Sequence, residues 1–349
     1  MTTDGAPGPG GTGTDVTVTV EPYELPLARP LAIARGTLET REGFLVRLKR
    51  DGTRGVGEAA PLPAFTEPLR ECETALQEAV DVAREEGLDA AHEALDADVH
   101  PAAAHGLVGA SLDAAARAVD QPLYRLLGGD HRETIPVNAV VGDGTPEETV
   151  AEAELAVENG YGCVKVKVGA RAPAADAERL RAVREAVGPG VTLRADANGA
   201  WSRSEAARAL DAFEGIGLEY VEQPIRAGDL QGLAALREGQ VPVTIDEGLT
   251  VHDVDEVLAA DAADALIVKP MAHGSPAAAQ AVAMAGIEAG LTVTVTTTID
   301  AVVARTAAVH VAASLPEVSA AGLATADRLA ADLGPDPAPV VDGEITVPQ

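Results

Sequence analysis

The feature that most limits how this chain can fold is a rhythm that begins after Thr134 and occupies most of the remaining sequence. Seven short apolar runs, IPVNAVV, CVKVKV, VTLRAD, LEYVEQ, VPVTID, DALIVK and LTVTVTT, are each followed by an amphipathic or Ala-rich stretch. Runs of this length rich in Val, Ile and Thr read as strands, and the stretches between them read as helices. Strands alternating with helices at this pitch imply a parallel sheet, because each helix carries the chain back to the end where the last strand began. A closed barrel and an open doubly wound sheet both satisfy the pattern. GDGTPEE after the first strand lacks the spacing of a dinucleotide fingerprint, and the barrel is favoured.

The part before Thr134 has a different texture. From about Val16 to Gly57 there are β-like runs, VTVTV and then LAIARGTLETREGFLVRLKR, separated by turn residues, which predicts a small antiparallel sheet. From Glu67 to Leu127 the apolar positions fall at helical spacing, and LYRLLGG closes the last helix at glycine. The opening MTTDGAPGPGGTGTD, residues 1–15, reads as a flexible tail without the basic-then-apolar pattern of a signal.

Charge narrows the function. The chain carries 55 acids against 26 basic residues, a formal −29, which repels nucleic acid and anionic membrane surfaces. The acids are spread through pieces such as DVAREEGLDAAHEALDADVH, as on solvated helix faces. Only four basic residues are lysines (Lys49, Lys165, Lys167 and Lys269), and the whole resembles the composition of proteins adapted to high salt. Cys72 and Cys163 make no disulfide framework and lack metal-ligand spacing, which fits a reducing cytoplasm. The oligomeric state is not legible from the chain.

Five consecutive predicted strands carry an ionisable group near the C-terminal end: Lys165 and Lys167, then Asp196, Glu222, Asp246 and Lys269. The steps from Lys167 are 29, 26, 24 and 23 residues, about one strand-helix repeat each. In a barrel such residues sit side by side on the rim that carries catalytic groups. Lys165 and Lys167 are two apart on one strand and so share a face. A second cation disfavours a lysine's charged form, and lowering its pKa from about 10.4 to about 7.5, roughly 4 kcal/mol, makes it a general base. Three converging carboxylates, Asp196, Glu222 and Asp246, call for a hard divalent ion, Mg²⁺ first, with Asn198 and Glu247 supporting them. Taken singly, Asp196 or Asp246 is better explained as a helix cap; the register of all five strands favours a site.

The motifs VKVKVG, RADANGAW, VEQP, TIDEGL and VKP resemble, in order and spacing, those of the enolase superfamily in its muconate-lactonising-enzyme branch. GVGEAAPLPAF (Gly55 to Phe65), KPMAHGSP, VTVTTTID and GLATADRLAADL are similar to features of the o-succinylbenzoate synthases, the dehydratases of menaquinone synthesis. The resemblance implies a modified TIM barrel of seven βα units with an α+β capping domain. The expected layout is a capping domain over 16–132, a barrel over 133–323 and a segment over 324–349 that returns to the capping domain. It also implies Lys167 as base and then acid in syn loss of water, Lys269 opposite it, and Lys165 tuning its neighbour. Asp196, Glu222 and Asp246 would hold Mg²⁺, with Mn²⁺ able to substitute, for a small carboxylate substrate. Capping loops at Arg35 to Arg41 and Pro61 to Thr66 are expected to close over substrate. Arg194 and Thr296, Thr297 and Thr298 are expected to touch it, although Arg194 reads equally well as a barrel salt bridge and the threonines as a helix cap. Dipeptide epimerases, N-acylamino acid racemases and muconate cycloisomerases of the same branch are the rival reading; the chain lacks the paired acids after the last strand that would hold a peptide ammonium, Asp300 standing alone.

Overall fold

A computed structural model describes residues 16–33 and 36–349. The expected tail, residues 1–15, and Arg35 of the expected capping loop lie outside the described residues. Three antiparallel strands, β1 (Val16–Ile33), β2 (Gly36–Arg50) and β3 (Thr53–Ala59), form the N-terminal sheet. Helices α1 (Leu69–Glu85), α2 (Leu88–Ala94), α3 (Pro101–Ala118) and α4 (Leu123–Leu126) come next, as the helical spacing from Glu67 predicts. Small residues let α3 lie close on β3: a Cβ at Gly55 or Gly57 would run into the carbonyl oxygens of Ala110 and Gly106. This accounts for the glycines of GVGEAAPLPAF, because no larger residue fits under the helix.

After β4 (Thr134–Pro136) the chain enters a curled parallel sheet. Its strands are β5 (Asn138–Val141), β6 (Cys163–Lys167), β7 (Thr192–Asp196), β8 (Leu218–Glu222), β9 (Val243–Ile245), β10 (Ala265–Val268) and β11 (Thr292–Val295), side by side in chain order. Between them run α5 (Pro146–Glu158), α6 (Pro173–Val187), α7 (Arg203–Phe213), α8 (Leu230–Arg237), α9 (Val254–Ala259) and α10 (Pro276–Glu288), with α11 (Val302–Ser314) after the last strand. Several of these helices are started by side chains that the sequence supplies at the loop ends, with capping boxes at Thr145 and Glu148 and at Ser202 and Glu205. Val and Ile on both faces of the strands and Ala on the helices build the main core.

The run IPVNAVV, predicted as one strand, is split. Pro136 has no N–H to give a parallel neighbour, and Thr134–Pro136 instead pairs antiparallel with β13 (Glu344–Thr346), which also pairs with β12 (Val340–Val341). Only from Asn138 does the run join the parallel sheet. The two edges of that sheet are linked by two residues of the C-terminal segment. Ala321 bridges Val137 on one side and Gly322 bridges Thr296 on the other, with Asn138 N–H donating to Ala321 O (2.9 Å) and Gly322 N–H to Val295 O (2.9 Å). Further on, Leu329 bridges Leu27 and Ala330 N–H donates to Pro26 O (2.8 Å), so the C-terminal segment also touches β1. Among the described residues no helix is long and apolar enough to cross a membrane.

A buried carboxylate fastens the N-terminal sheet to α11. Glu58, fully buried on β3, accepts the N–H groups of Ala301 (2.8 Å) and Ala304 (2.9 Å) at the start of α11 and the hydroxyl of Tyr23 (2.8 Å). Burial, followed by the charge of Asp300, pushes its pKa up from 4.5 to about 7, against the pull of those donors. The folded state therefore favours the protonated form, so this group's contribution to stability is full below pH about 4.5 and is lost as pH rises through about 7. Urea unfolding at constant salt should show wild type losing up to about 3 kcal/mol more than Glu58→Gln between pH 5 and 8. Equal losses would rule out Glu58 as a titrating fastener.

Candidate active site

The predicted ladder is gathered at one end of the parallel sheet. In the β6–β7–β8 register, Lys167 lies beside Asp196 and Asp196 beside Glu222. Lys165 Nζ donates to both Glu222 oxygens (2.8 and 2.9 Å) and lies 3.2 Å from Asp196 Oδ2. Lys167 Nζ donates to Asp196 Oδ2 (2.6 Å) and to Asn198 Oδ1 (2.7 Å). Lys269 pairs with Asp246, and its ammonium lies 3.8 Å from the centre of the Phe65 ring. Asp196, Glu222 and Asp246 are 1%, 2% and 4% exposed, so these charges meet in a low dielectric where pairing decides their state.

The expected repulsion between Lys165 and Lys167 is offset by the acids between them. Burial works against the charge on Lys165, but Glu222 and Asp196 outweigh it and hold its pKa well above the lysine range. Burial likewise pushes Asp196 up, yet Lys167 and Lys165 pull it well below the carboxylate range. Glu222 is pushed up to about 7, first by burial and then by Asp196, and Asp246 to about 6 by burial despite Lys269. Counting Glu247, four carboxyl groups face three ammonium groups, and the cluster is short of positive charge.

That shortage and the all-oxygen donor set suit a hard divalent cation. Asp196 and Glu222 already converge on one cation, the Lys165 ammonium, whereas Asp246 is turned to Lys269. Among the described residues no three acidic, His or Cys side chains are drawn together as a metal centre. Holding an ion would require Asp246 to rotate away from Lys269. Asn198 and Glu247 take the supporting places expected of them, with Asn198 Nδ2 donating to Glu247 Oε1 (3.1 Å) while its Oδ1 holds Lys167.

Arg194 and the three threonines all find partners within the protein. Arg194, 1% exposed, makes the barrel salt bridge that was its other reading. Its guanidinium donates to Glu219 (2.5 Å), Ser319 Oγ (2.5 Å), Ala320 O (2.6 Å) and Asn138 Oδ1 (3.2 Å), and lies over Tyr220. The threonine hydroxyls are turned to the protein: Thr296 to Gly322 O (2.8 Å), Thr297 to Thr325 Oγ1 (3.1 Å) and Thr298 to Asp300 Oδ1 (2.5 Å). None of the three caps α11, where Glu58 takes the N–H groups of Ala301 and Ala304 and Asp332 that of Val302 (2.8 Å).

Sequence reasoning missed the role of Gln223 and named Phe65 and Arg41 only as members of expected loops. Gln223, in the left-handed region at φ 40°, uses its Oε1 to accept the N–H groups of Asp246 (2.9 Å) and Gly248 (3.0 Å), which sets the direction of the Asp246 side chain. Its place in VEQP was visible, its role was not. Phe65 lies in the expected Pro61 to Thr66 loop. Arg41 donates to Ala60 O (2.8 Å), Pro61 O (2.8 Å) and Ile299 O (3.0 Å), joining that loop to the one after β11. His252, His273 and His310 take no part in the cluster.

A barrel-type parallel sheet with lysines on its second and sixth strands and carboxylates between them defines a class, and comparison with known proteins agrees. A family model described as enolase C-terminal domain-like matches residues 148–349, and one for the MenC N-terminal domain matches residues 16–114. The chain belongs to the enolase superfamily, a superfamily of enzymes. It is 33% identical over 306 residues to the L-Ala-D/L-Glu epimerase of Bacillus subtilis, covering 83% of this chain and 82% of that one. The substrate-liganded structure of that epimerase matches with a TM-score of 0.83 at 29% identity over 95% of both chains. To the o-succinylbenzoate synthase of Thermobifida fusca it is 39% identical over 221 residues, 62% of this chain and 67% of that one. A dipeptide epimerase from Cytophaga hutchinsonii, complexed with Mg and the dipeptide D-Ala-L-Val, matches with a TM-score of 0.83 at 25% identity, covering 95% of this chain and 93% of that one.

The buried Lys269–Asp246 pair can be tested apart from any reaction. Lys269→Met leaves an uncompensated carboxylate and should destabilise the protein by about 3 kcal/mol in urea without divalent ions. Adding Asp246→Asn should recover at least half of that loss. A single substitution without effect would mean that the carboxylate is solvated.

Proposed function

We propose that the protein is a Mg²⁺-dependent o-succinylbenzoate synthase, a carbon–oxygen lyase that dehydrates the hydroxycyclohexadiene carboxylate precursor. The observation that carries this reading is the pairing of Lys167 and Lys269 across a carboxylate cluster, with an N-terminal part that matches the MenC model supplying Phe65 to the same place. Residues 16–132 would act as the capping domain, 133–323 as the barrel of seven βα units, and 324–349 as the segment returning to the cap.

Asp196, Glu222 and Asp246 would hold the ion. Bound there, Mg²⁺ supplies the positive charge that a substrate carboxylate needs when its α-carbon loses a proton. Lys167, on the more open side of the cluster, takes that proton in its neutral amine form, having first released the proton of the resting ammonium. It then returns it to the departing hydroxyl on the same face, so that water leaves and the ring becomes aromatic. Lys269 stabilises the developing negative charge from the other side, and Phe65 keeps water from its ammonium. Stabilisation of a charge that grows only on the way to the transition state is what accelerates the step.

A second reading, epimerisation of a dipeptide by one lysine on each face, is favoured by the 33% identity to the Bacillus subtilis epimerase. The dehydratase reading is preferred because Asp300, the lone acid after the last strand, is buried, accepts from Thr298 and lies 4.0 Å from Arg41, so it offers no open carboxylate to a peptide ammonium.

Incubation with the precursor and Mg²⁺ in molar salt should remove the diene absorbance. Chelation should stop the reaction and added Mg²⁺ restore it, and Lys167→Ala should be about a thousandfold slower. No turnover, with α-proton exchange of L-Ala-L-Glu in D₂O instead, would move the assignment to the epimerases.

A further inference from the structure

The end of β6 that carries Lys167 is supported unequally on its two sides. Toward β7, Val168 N–H donates to Asp196 O (2.9 Å), but on the other side β5 stops at Val141, opposite Val166 and short of Lys167. Just beyond, the chain turns at Gly169, whose φ of 95° lies in the left-handed region, and a Cβ there would meet Ala200 Cβ at 2.9 Å. A carbonyl left without a donor in such a place costs free energy, and a turn without a fastening lets the side chain before it swing. Packing does least for this lysine: its side chain is 35% exposed, against 13% for Lys165 and 9% for Lys269.

The fastening comes from α6. Asp176 and Arg179, three residues apart on one face of that helix, are both fully buried. Arg179 Nη2 donates to the carbonyl oxygen of Lys167, and its Nη1 to that of Gly144 (3.5 Å) in the loop after β5. Asp176 Oδ2 accepts the N–H of Gly169 (2.8 Å). The two charges themselves approach only to 3.6 Å, longer than a good hydrogen bond. The guanidinium is thus turned to the backbone, with Asp176 supplying the counter-charge that a buried arginine needs.

The same helix offers a comparison. Arg184 holds the carbonyl oxygens of Gly188 (2.8 Å), Val191 (2.7 Å), Ile216 (3.1 Å) and Gly217 (2.9 Å), in the loops that lead into β7 and β8. It ties loops together in the same manner, at the end of the sheet away from the ionisable strand ends. We propose that Asp176 and Arg179 are positioning residues for Lys167. By gripping the backbone on either side of Val168, they set the direction in which the Lys167 ammonium leaves the strand, toward Asp196 Oδ2 (2.6 Å) and Asn198 Oδ1 (2.7 Å). Their effect on catalysis rests on the reading of Lys167 as the base; their effect on the ammonium does not.

The chain's four lysines allow Lys167 to be observed by itself. With carbon-13 at lysine Cε, the full chain in molar salt without divalent ions should give a resolved methylene signal for each lysine, assigned by replacing that lysine with arginine. Asp176→Asn together with Arg179→Met removes the grip and leaves neither charge unpaired. The Lys167 signal should then move at least half of the way to its position in the urea-unfolded chain, with that of Lys269 unmoved. Arg184→Met should lower the melting temperature and leave the Lys167 signal in place. If the double variant lacks a cooperative melt, Asp176→Asn alone is read, and it should move the signal in the same direction. An unmoved Lys167 signal in the folded variant, or equal movement in Arg184→Met, would overturn the proposal. With the precursor and Mg²⁺, the double variant should lose about a hundredfold in kcat with KM within about threefold, because a displaced base slows chemistry more than binding. A loss confined to KM would also overturn it. A wild type that does not turn over the precursor would defeat the assignment of the reaction and leave the signal test standing.

Discussion

A parallel sheet brings the C-terminal ends of all its strands to one rim, and here that rim buries carboxylates and ammonium groups together. Neither set could be buried alone, because an unpaired ion in a low dielectric costs more than packing returns. Lys165 between Asp196 and Glu222, and Lys269 against Asp246, solve this pairwise. Much of the surrounding structure serves to hold those pairs in place. Gln223 fixes the backbone of Asp246, Asn198 joins Lys167 to Glu247, and Phe65 covers Lys269 from the N-terminal unit.

The strands and the ladder were legible because both are periodic. Val, Ile and Thr runs mark strands, and an ionisable group at each strand end repeats with the βα unit. Depth was not legible. Arg194 does share a face with Asp196, but two residues along a strand is about 7 Å further into the barrel, where Glu219 and Ser319 are waiting. The hydroxyl partners of the threonines were not legible for a different reason. Their partners lie at Gly322 and Thr325, in a segment whose return to the sheet has no local signal. Pro136 could have warned that IPVNAVV is not one strand, since a proline seldom sits within a ladder.

The N-terminal unit meets the barrel through apolar packing, with Met271 and Ala304 in its core, and through polar links that span long stretches of chain. Glu58 reaches 243 residues along the chain to Ala301, and Arg41 reaches 258 to Ile299. No pattern within a window of sequence can show such pairs, although a glutamate enclosed by GVG and AAPLP is an odd choice for a buried strand end. They hold the N-terminal unit, with Phe65 against Lys269, beside the unit that carries the ionisable strand ends.

The two-residue link at Ala321 and Gly322 has a consequence of its own. Six of the joints around the sheet are strand pairs, whereas this one rests on a few backbone hydrogen bonds from two residues that belong to no strand. It is also the place where the end of the chain is threaded back, since β13 and the contact at Leu27 lie beyond it. A ring with one thin joint behaves like a clasp: loosening it frees both sheet edges without first breaking any helix. The last part of the chain thus locks a barrel whose seven strands all precede it.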